Sequence, residues 1–263
     1  MLKVRIIPTL LWKNFGLVKG ERFNSWRRVG AVLPAVKVYN ARDVDELVLM
    51  DITASREKAE PDYDSVHDFA DECFVPFTVG GGISRLDQIQ NLLRAGADKI
   101  TINTNAYCNA QLVDEAAKRF GAQCIVASID VRRMSDGRLL CFSHAGAVAT
   151  GRRPDEWARE LVDRGAGEIL VTSIDRDGTM LGYDLRLIET VVNAVNVPVI
   201  ASGGAGNYEH MRLAIQEAGA SAVAAASMFH FTEQTPAEAK RYLASAGTPV
   251  RHNYTVHKRE QWA

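Results

Sequence analysis

A glycine turn that occurs twice constrains this chain more than any other feature. TVGGGI at 78–83 and IASGGAG at 200–206 each follow an apolar run, FVPF at 74–77 and VPVI at 197–200. A short apolar run closed by glycines is the pattern of a buried parallel strand ending in a turn. Each turn then opens a stretch with helical spacing, so its backbone NH groups lie at the positive end of a helix, a ready site for an anion. Glycine lets a phosphate approach the backbone with no Cβ in the way. A single glycine turn carries little weight, because glycine also makes ordinary tight turns. Two related copies carry much more.

The repetition extends well beyond the glycines. DELVLMDI at 45–52 resembles GEILVTSI at 167–174, and Gly81 falls on Gly203, both at an offset of 122. AGADKITINT at 95–104 resembles AGASAVAAAS at 218–227, and RIIPTLL at 5–11 aligns with CIVASID at 124–130. Residues from about 4 to 120 and from about 123 to 245 thus read as two copies of one unit. Each copy contains strand–helix four times, so the expectation is an α/β fold, a closed (β/α)₈ barrel built from two (βα)₄ half-barrels. The expected organisation is one barrel over 1–250 and a polar tail over 251–263.

Composition excludes several classes. A net charge of −1 argues against nucleic acid or an anionic membrane surface as the main partner. No apolar run approaches the roughly 20 residues of a spanning helix. MLKVRIIP leads straight into a strand with no signal-peptide pattern, and Cys73, Cys108, Cys124 and Cys141 lack metal-like spacing. The expectation is a cytoplasmic protein with reduced thiols, no metal and no cofactor.

In a barrel of this kind the site forms where the strands end. Those ends supply Leu11, Asp51, Val79 to Gly82, Asn103 with Thr104, Asp130, Asp175 with Asp177, Gly203 with Gly204, and Ser227. The two glycine turns stand about half a barrel apart, each with small polar groups on the next strand. That arrangement suits a ligand with a phosphate at each end, a bisphosphate or a phosphorylated sugar. Asp130 stands between them as a candidate general acid or base, the bland alternative being an aspartate that caps a turn. The stretch WKNFGLVKGERFNSWRRVG at 12–30 is long for a βα connection and mixes bases, Lys19 among them, with aromatics. It suits either a lid over an anionic ligand or a flap packed on its own rings. A hairpin is expected over 132–152, turning at Asp136-Gly137. At the other end of the strands, Arg5, Glu46, Lys99 and Glu168 form a balanced set of two cations and two anions. If they turn inward they must pair, since an isolated buried charge is costly.

RIIP, DELVLMDITAS, TVGGGI, GADKITIN, QCIVASID, GAGEIL, TSIDRDGT, GYD, VIASGGAG and AASMFHF together resemble the cyclase subunit of imidazole glycerol phosphate synthase, over nearly the whole chain. The resemblance implies a barrel that receives ammonia from a separate glutaminase docked on its floor. It implies an ammonia gate at Arg5, Glu46, Lys99 and Glu168, with Asp98 at the docking face. It also implies phosphate pockets at Gly82, Asn103 and Thr104 and at Asp177, Gly178, Gly203, Gly204 and Ser227, with Lys19 and Asp51 in the substrate pocket.

One departure bears on activity. Where that family reads CLDVK, with an aspartate as one of two acid/base groups, this chain reads TLLWK, with Leu11 in its place. The internal repeat exposes the same gap, because Leu11 aligns with Asp130. The family's basic residues in the hairpin after the fifth strand are also gone, the chain reading AGAVATG at 145–151. TLLWKNFGLVKG and SREKAEPDYD are more similar to a paralogue from bacterial surface-polysaccharide pathways, a group associated with glutamine-dependent amidination of sugars. Three readings compete. They are an ammonia-conducting barrel for surface-sugar amidination, a histidine-pathway cyclase that uses another acid, and a scaffold that only activates its glutaminase. An unrelated phosphate-binding barrel isomerase leaves the four floor charges unexplained.

Overall fold

The computed structural model describes residues 3–13 and 16–251. In chain order the strands are β1 (Arg5–Lys13), β2 (Gly16–Glu21), β3 (Asn24–Gly30), β4 (Leu47–Asp51), β5 (Phe77–Gly80), β6 (Lys99–Ile102), β7 (Ile125–Arg133), β8 (Leu139–Ser143), β9 (Val148–Ala149), β10 (Glu168–Ser173), β11 (Val199–Ser202) and β12 (Ala222–Ala225). Eight of them, β1, β4, β5, β6, β7, β10, β11 and β12, pair in parallel around a ring. The ring closes where β7 meets β10, in a register running from Glu168↔Val126 to Ser173↔Val131. The protein is an eight-stranded (β/α)₈ barrel, as the internal repeat predicts.

Alternation along the strands sorts the side chains into two layers. Outward-facing Ile6, Leu10, Leu47, Leu49, Ile100 and Ile169 pack against the inner faces of the surrounding helices, at Val36, Ile89, Leu92, Leu161 and Leu243 among others. Inward-facing Ile7, Val48, Val126, Leu170, Ile200, Ala222 and Ala224 form a separate cluster inside the barrel. Fully burying one such aliphatic side chain is worth roughly 1.5–3 kcal/mol. Above and below this plug the buried positions Thr78, Thr101, Ser128 and Thr172 carry hydroxyls.

The outer helices begin where their caps dictate. Asp62, Asp184, Asn207 and Thr235 each accept a hydrogen bond from a backbone NH three residues on. Pro154 and Pro236 occupy first helical positions, where no NH is needed.

The sequence reading needs three corrections. Thr104 and Ser227 do not end strands but open the five-residue helices Thr104–Cys108 and Ser227–Phe231, equivalent in the two halves. The stretch after the first strand is not a loop: β2 folds back antiparallel on β1 and pairs with β3, forming a hairpin over the barrel mouth. A further short helix, Ala54–Glu57, precedes the one expected after Pro61. The hairpin expected over 132–152 is present, with β8 antiparallel to β7. The tail expected over 251–263 lies outside the described residues except for Arg251. Among the described residues no helix is long and apolar enough to cross a membrane.

Candidate functional site

The repeat is preserved in backbone geometry. Gly81 and Gly203 take φ values of +120° and +88°, in the left-handed region open to glycine. A Cβ on Gly81 would stand 2.3 Å from the Asp51 carbonyl oxygen, and one on Gly203 would stand 2.6 Å from that of Ser173. Asp51 and Ser173 close the preceding barrel strand in their respective halves. Both turns are therefore glycine for the same two reasons, dihedral and crowding.

These turns rim a cavity of about 150 Å³ at the C-terminal end of the barrel. It is lined by Lys19, Asp51, Gly82, Asn103, Thr104, Asp130, Asp177, Gly178, Gly203, Gly204 and Ser227, so the structure brings these residues expected at the site together. Arg5, Glu46, Lys99, Glu168 and Asp98 belong to the opposite face. The two rims differ in how far their own polar groups are already satisfied. In the first, the Gly82 NH donates to the Ser55 hydroxyl at 3.2 Å and the His144 NH donates to the Thr104 hydroxyl at 2.9 Å. In the second, the Ser227 hydroxyl is buried with no partner. An unpaired buried hydroxyl is costly, so it is ready for a ligand that accepts or donates there.

The two hairpins cover the mouth. The Arg22 NH donates to the Asp177 carbonyl at 2.8 Å. Gly178 lies so close to β2 that a Cβ on it would stand 2.2 Å from the Gly20 carbonyl. Phe23 packs against the second hairpin, its ring 3.0 Å from where a Cβ on Gly146 would stand. Lys19 reaches inward from β2 and pairs with Asp177 at 2.7 Å, its side chain 2 % exposed. Phe23 and Trp26 reach the cavity beside Leu11 and Met50, giving it an apolar wall.

Asp130 belongs to the polar part of the lining. It is buried, and the Asn103 amide donates to its Oδ2 at 2.7 Å. Burial, together with the charge of Asp177, pushes its carboxyl up to about 7. A group that changes charge near neutrality can both give and take a proton. The same shift affects stability. With the folded-state value raised above the unfolded one, the favourable contribution is complete below the ordinary 3.8 and is lost as pH rises through about 7. Asp130→Asn is therefore expected to unfold with a free energy about 1–3 kcal/mol larger than the parent's at pH 8, the difference vanishing near pH 4. Urea unfolding at the two pH values checks this; a difference independent of pH refutes it.

Asp51 has a second role beside lining the cavity. Its Oδ1 accepts from the Thr53 NH and hydroxyl and from the Ala54 NH, holding the turn that ends β4. Sequence reasoning missed Ser55, Thr172 and Ser202, which also line the cavity. For Thr172 the signal was present: it lies two residues after Leu170 on the inward alternation, as Asp130 lies two after Ser128. Among the described residues no three His, Cys, Asp or Glu side chains come together as a metal site requires.

At the opposite end the four charges form a closed ring. Arg5 donates to Glu46 at 2.8 Å and to both oxygens of Glu168 at 3.0 Å. Lys99 donates to the same two glutamates at 3.0 Å each. Glu46 also accepts from the Thr78 hydroxyl at 2.8 Å, which ties the ring to the lumen. Asp98 is exposed on this floor and accepts from the Phe77 NH at 2.8 Å, so it also secures the start of β5.

A family model described as "Histidine biosynthesis protein" matches residues 5–235, from the first barrel strand to the last outer helix. With the closed barrel, the duplicated glycine rims and this match over most of its length, the chain belongs to the histidine biosynthesis protein family.

Proposed function

We propose that the protein is the barrel subunit of a glutaminase-coupled system. Ammonia released by the partner enters through the floor ring and reacts at the top with a ligand bearing phosphate or nucleotide-linked phosphate groups. The acceptor pathway is the amidination of a sugar destined for a surface polysaccharide. The observation that carries this reading is the contrast between the two ends of the lumen. The floor keeps a complete ring of paired charges across the end of the lumen, where apolar packing would have closed the barrel at lower desolvation cost. The top keeps Asp130 and both glycine rims but presents Leu11 where the repeat has a carboxylate.

A second reading, the imidazole-forming cyclase of histidine biosynthesis, draws support from Asp130, from the rims and from the family match. It requires an acid/base partner for Asp130 at position 11, which a leucine cannot be.

Co-expression with the glutaminase-type subunits encoded beside this chain tests the reading. One of them is expected to co-purify with it and to hydrolyse glutamine faster in the complex. Asp98→Lys, which reverses an exposed floor charge, is expected to weaken the complex about tenfold or more. A barrel that stays free of every such subunit, or a complex indifferent to Asp98→Lys and to loss of Lys99, overturns floor docking.

A further inference from the structure

We propose that Asp130 and Asp177 form a coupled carboxyl pair holding one exchangeable proton above the lumen, in place of the acid/base partner that Leu11 cannot supply. This rests on the reading that the barrel top is where ammonia reacts.

Asp177 is oddly placed for an anion pocket. It stands among Gly178, Gly203 and Gly204, where an ionised carboxylate repels a phosphate. Lys19 removes that objection in part, at 2.7 Å from Oδ1. Its other oxygen, Oδ2, is buried with no partner. A buried carboxylate oxygen lacking a donor calls for a proton or a ligand donor. The nearby Asp130 is buried as well, with Asn103 on its Oδ2. These two carboxyls and the Lys19 ammonium line a single cavity, with Asp51 a further carboxyl on its wall. Low-dielectric surroundings favour the neutral assembly, and two carboxyls beside one lysine reach neutrality by binding one proton.

No other neighbour competes for that proton near neutrality. Burial holds the Tyr107 phenol well above its usual range and pushes the Cys141 thiol up to about 12, so both keep their protons. Burial and the charge of Lys19 push the His230 imidazole down to about 4, which leaves it neutral. Asp51, across the cavity, has Oδ1 committed to its own turn. In use, Asp130 gives its proton to a ligand oxygen while Asp177 takes one from a ligand N–H. The pair's proton count is unchanged and the two carboxyls exchange roles; a second transfer in the reverse sense restores them.

The test is a carboxyl ¹³C NMR titration of the full chain, labelled at aspartate, with Asp130→Asn identifying the resonance. In the parent, the Asp130 carboxyl is expected to titrate near neutrality. Asp177→Asn removes a negative charge, so the proton affinity of Asp130 is expected to fall about tenfold or more. Lys19→Met removes a positive charge and is expected to raise the pair's affinity by a similar factor. Opposite signs from two neighbouring substitutions are not produced by loosened packing. If Asp177→Asn does not fold, Lys19→Met alone carries the test. A parent Asp130 in the ordinary carboxylate range, or a midpoint that the folded variants leave unmoved, overturns the pair. The barrel is titrated alone, so failure to dock a glutaminase sinks the ammonia reading without touching this result.

Discussion

Glu46→Ala is expected to destabilise the barrel by about 3–5 kcal/mol, the range typical of removing one partner from a buried ion pair. Its side chain is 1 % exposed, and it meets both cations of the floor ring, Arg5 and Lys99. Deleting it leaves those two cations facing Glu168 alone, and the Thr78 hydroxyl loses its acceptor. The cations cannot simply swing into water, because Arg5 and Lys99 are only 11 % and 15 % exposed. Glu168→Ala is expected to cost less, since that side chain is 13 % exposed and water can replace part of its role. Denaturant unfolding of the two variants beside the parent measures both numbers. A loss below about 1 kcal/mol for Glu46→Ala contradicts the closed ring, since that is what an exposed pair contributes.

The same ring shows why the sequence was informative here. Four charges at strand starts, balanced in sign, must pair if they turn inward, so pairing was legible as the condition for their burial. The fold was legible for a related reason: two copies of a four-unit pattern leave a closed eight-stranded ring as the natural solution. What stayed hidden has physical causes too. Thr104 and Ser227 read as strand residues because an apolar run does not mark where extended backbone turns helical. The β2–β3 hairpin was obscured by its positive-φ residues, Arg22 at +51°, Phe23 at +60° and Ser25 at +53°, none of them a turn-forming glycine or asparagine. The pairing of Lys19 with Asp177 joins residues 158 apart in sequence. Nothing local in the chain announces it. Asp98 also holds the Phe77 NH, a role that a local pattern does not reveal.

The unmodified protein is expected to convert the histidine-pathway precursor and ammonia at a rate roughly 10²-fold or more below that of a cyclase with both acid/base groups, since such a group typically supplies 10²–10⁴-fold. Leu11 lies on the cavity wall, paired in register with Val18 of the lid hairpin and with Met50. A leucine side chain can neither give nor take a proton there. The second hairpin adds to the deficit: Ala145 is what it brings to the cavity, so a phosphate entering the first rim meets no positive charge from that residue. Leu11→Asp puts a carboxylate across from Asp130 and is expected to raise turnover from that floor without restoring the full rate. It also brings a fourth carboxyl into a cavity that already holds Asp51, Asp130 and Asp177, so the new group is expected to titrate above the ordinary aspartate range. The gain should therefore appear mainly at alkaline pH, where the new carboxyl ionises and can accept a proton. Floor docking is expected to be unaffected, because Leu11 and Arg5 lie near opposite ends of β1. Steady-state assays of parent and variant with saturating ammonium, across pH, decide the matter. Turnover by the parent close to that of an ordinary cyclase would sink the amidination reading and leave the imidazole-forming reaction in its place.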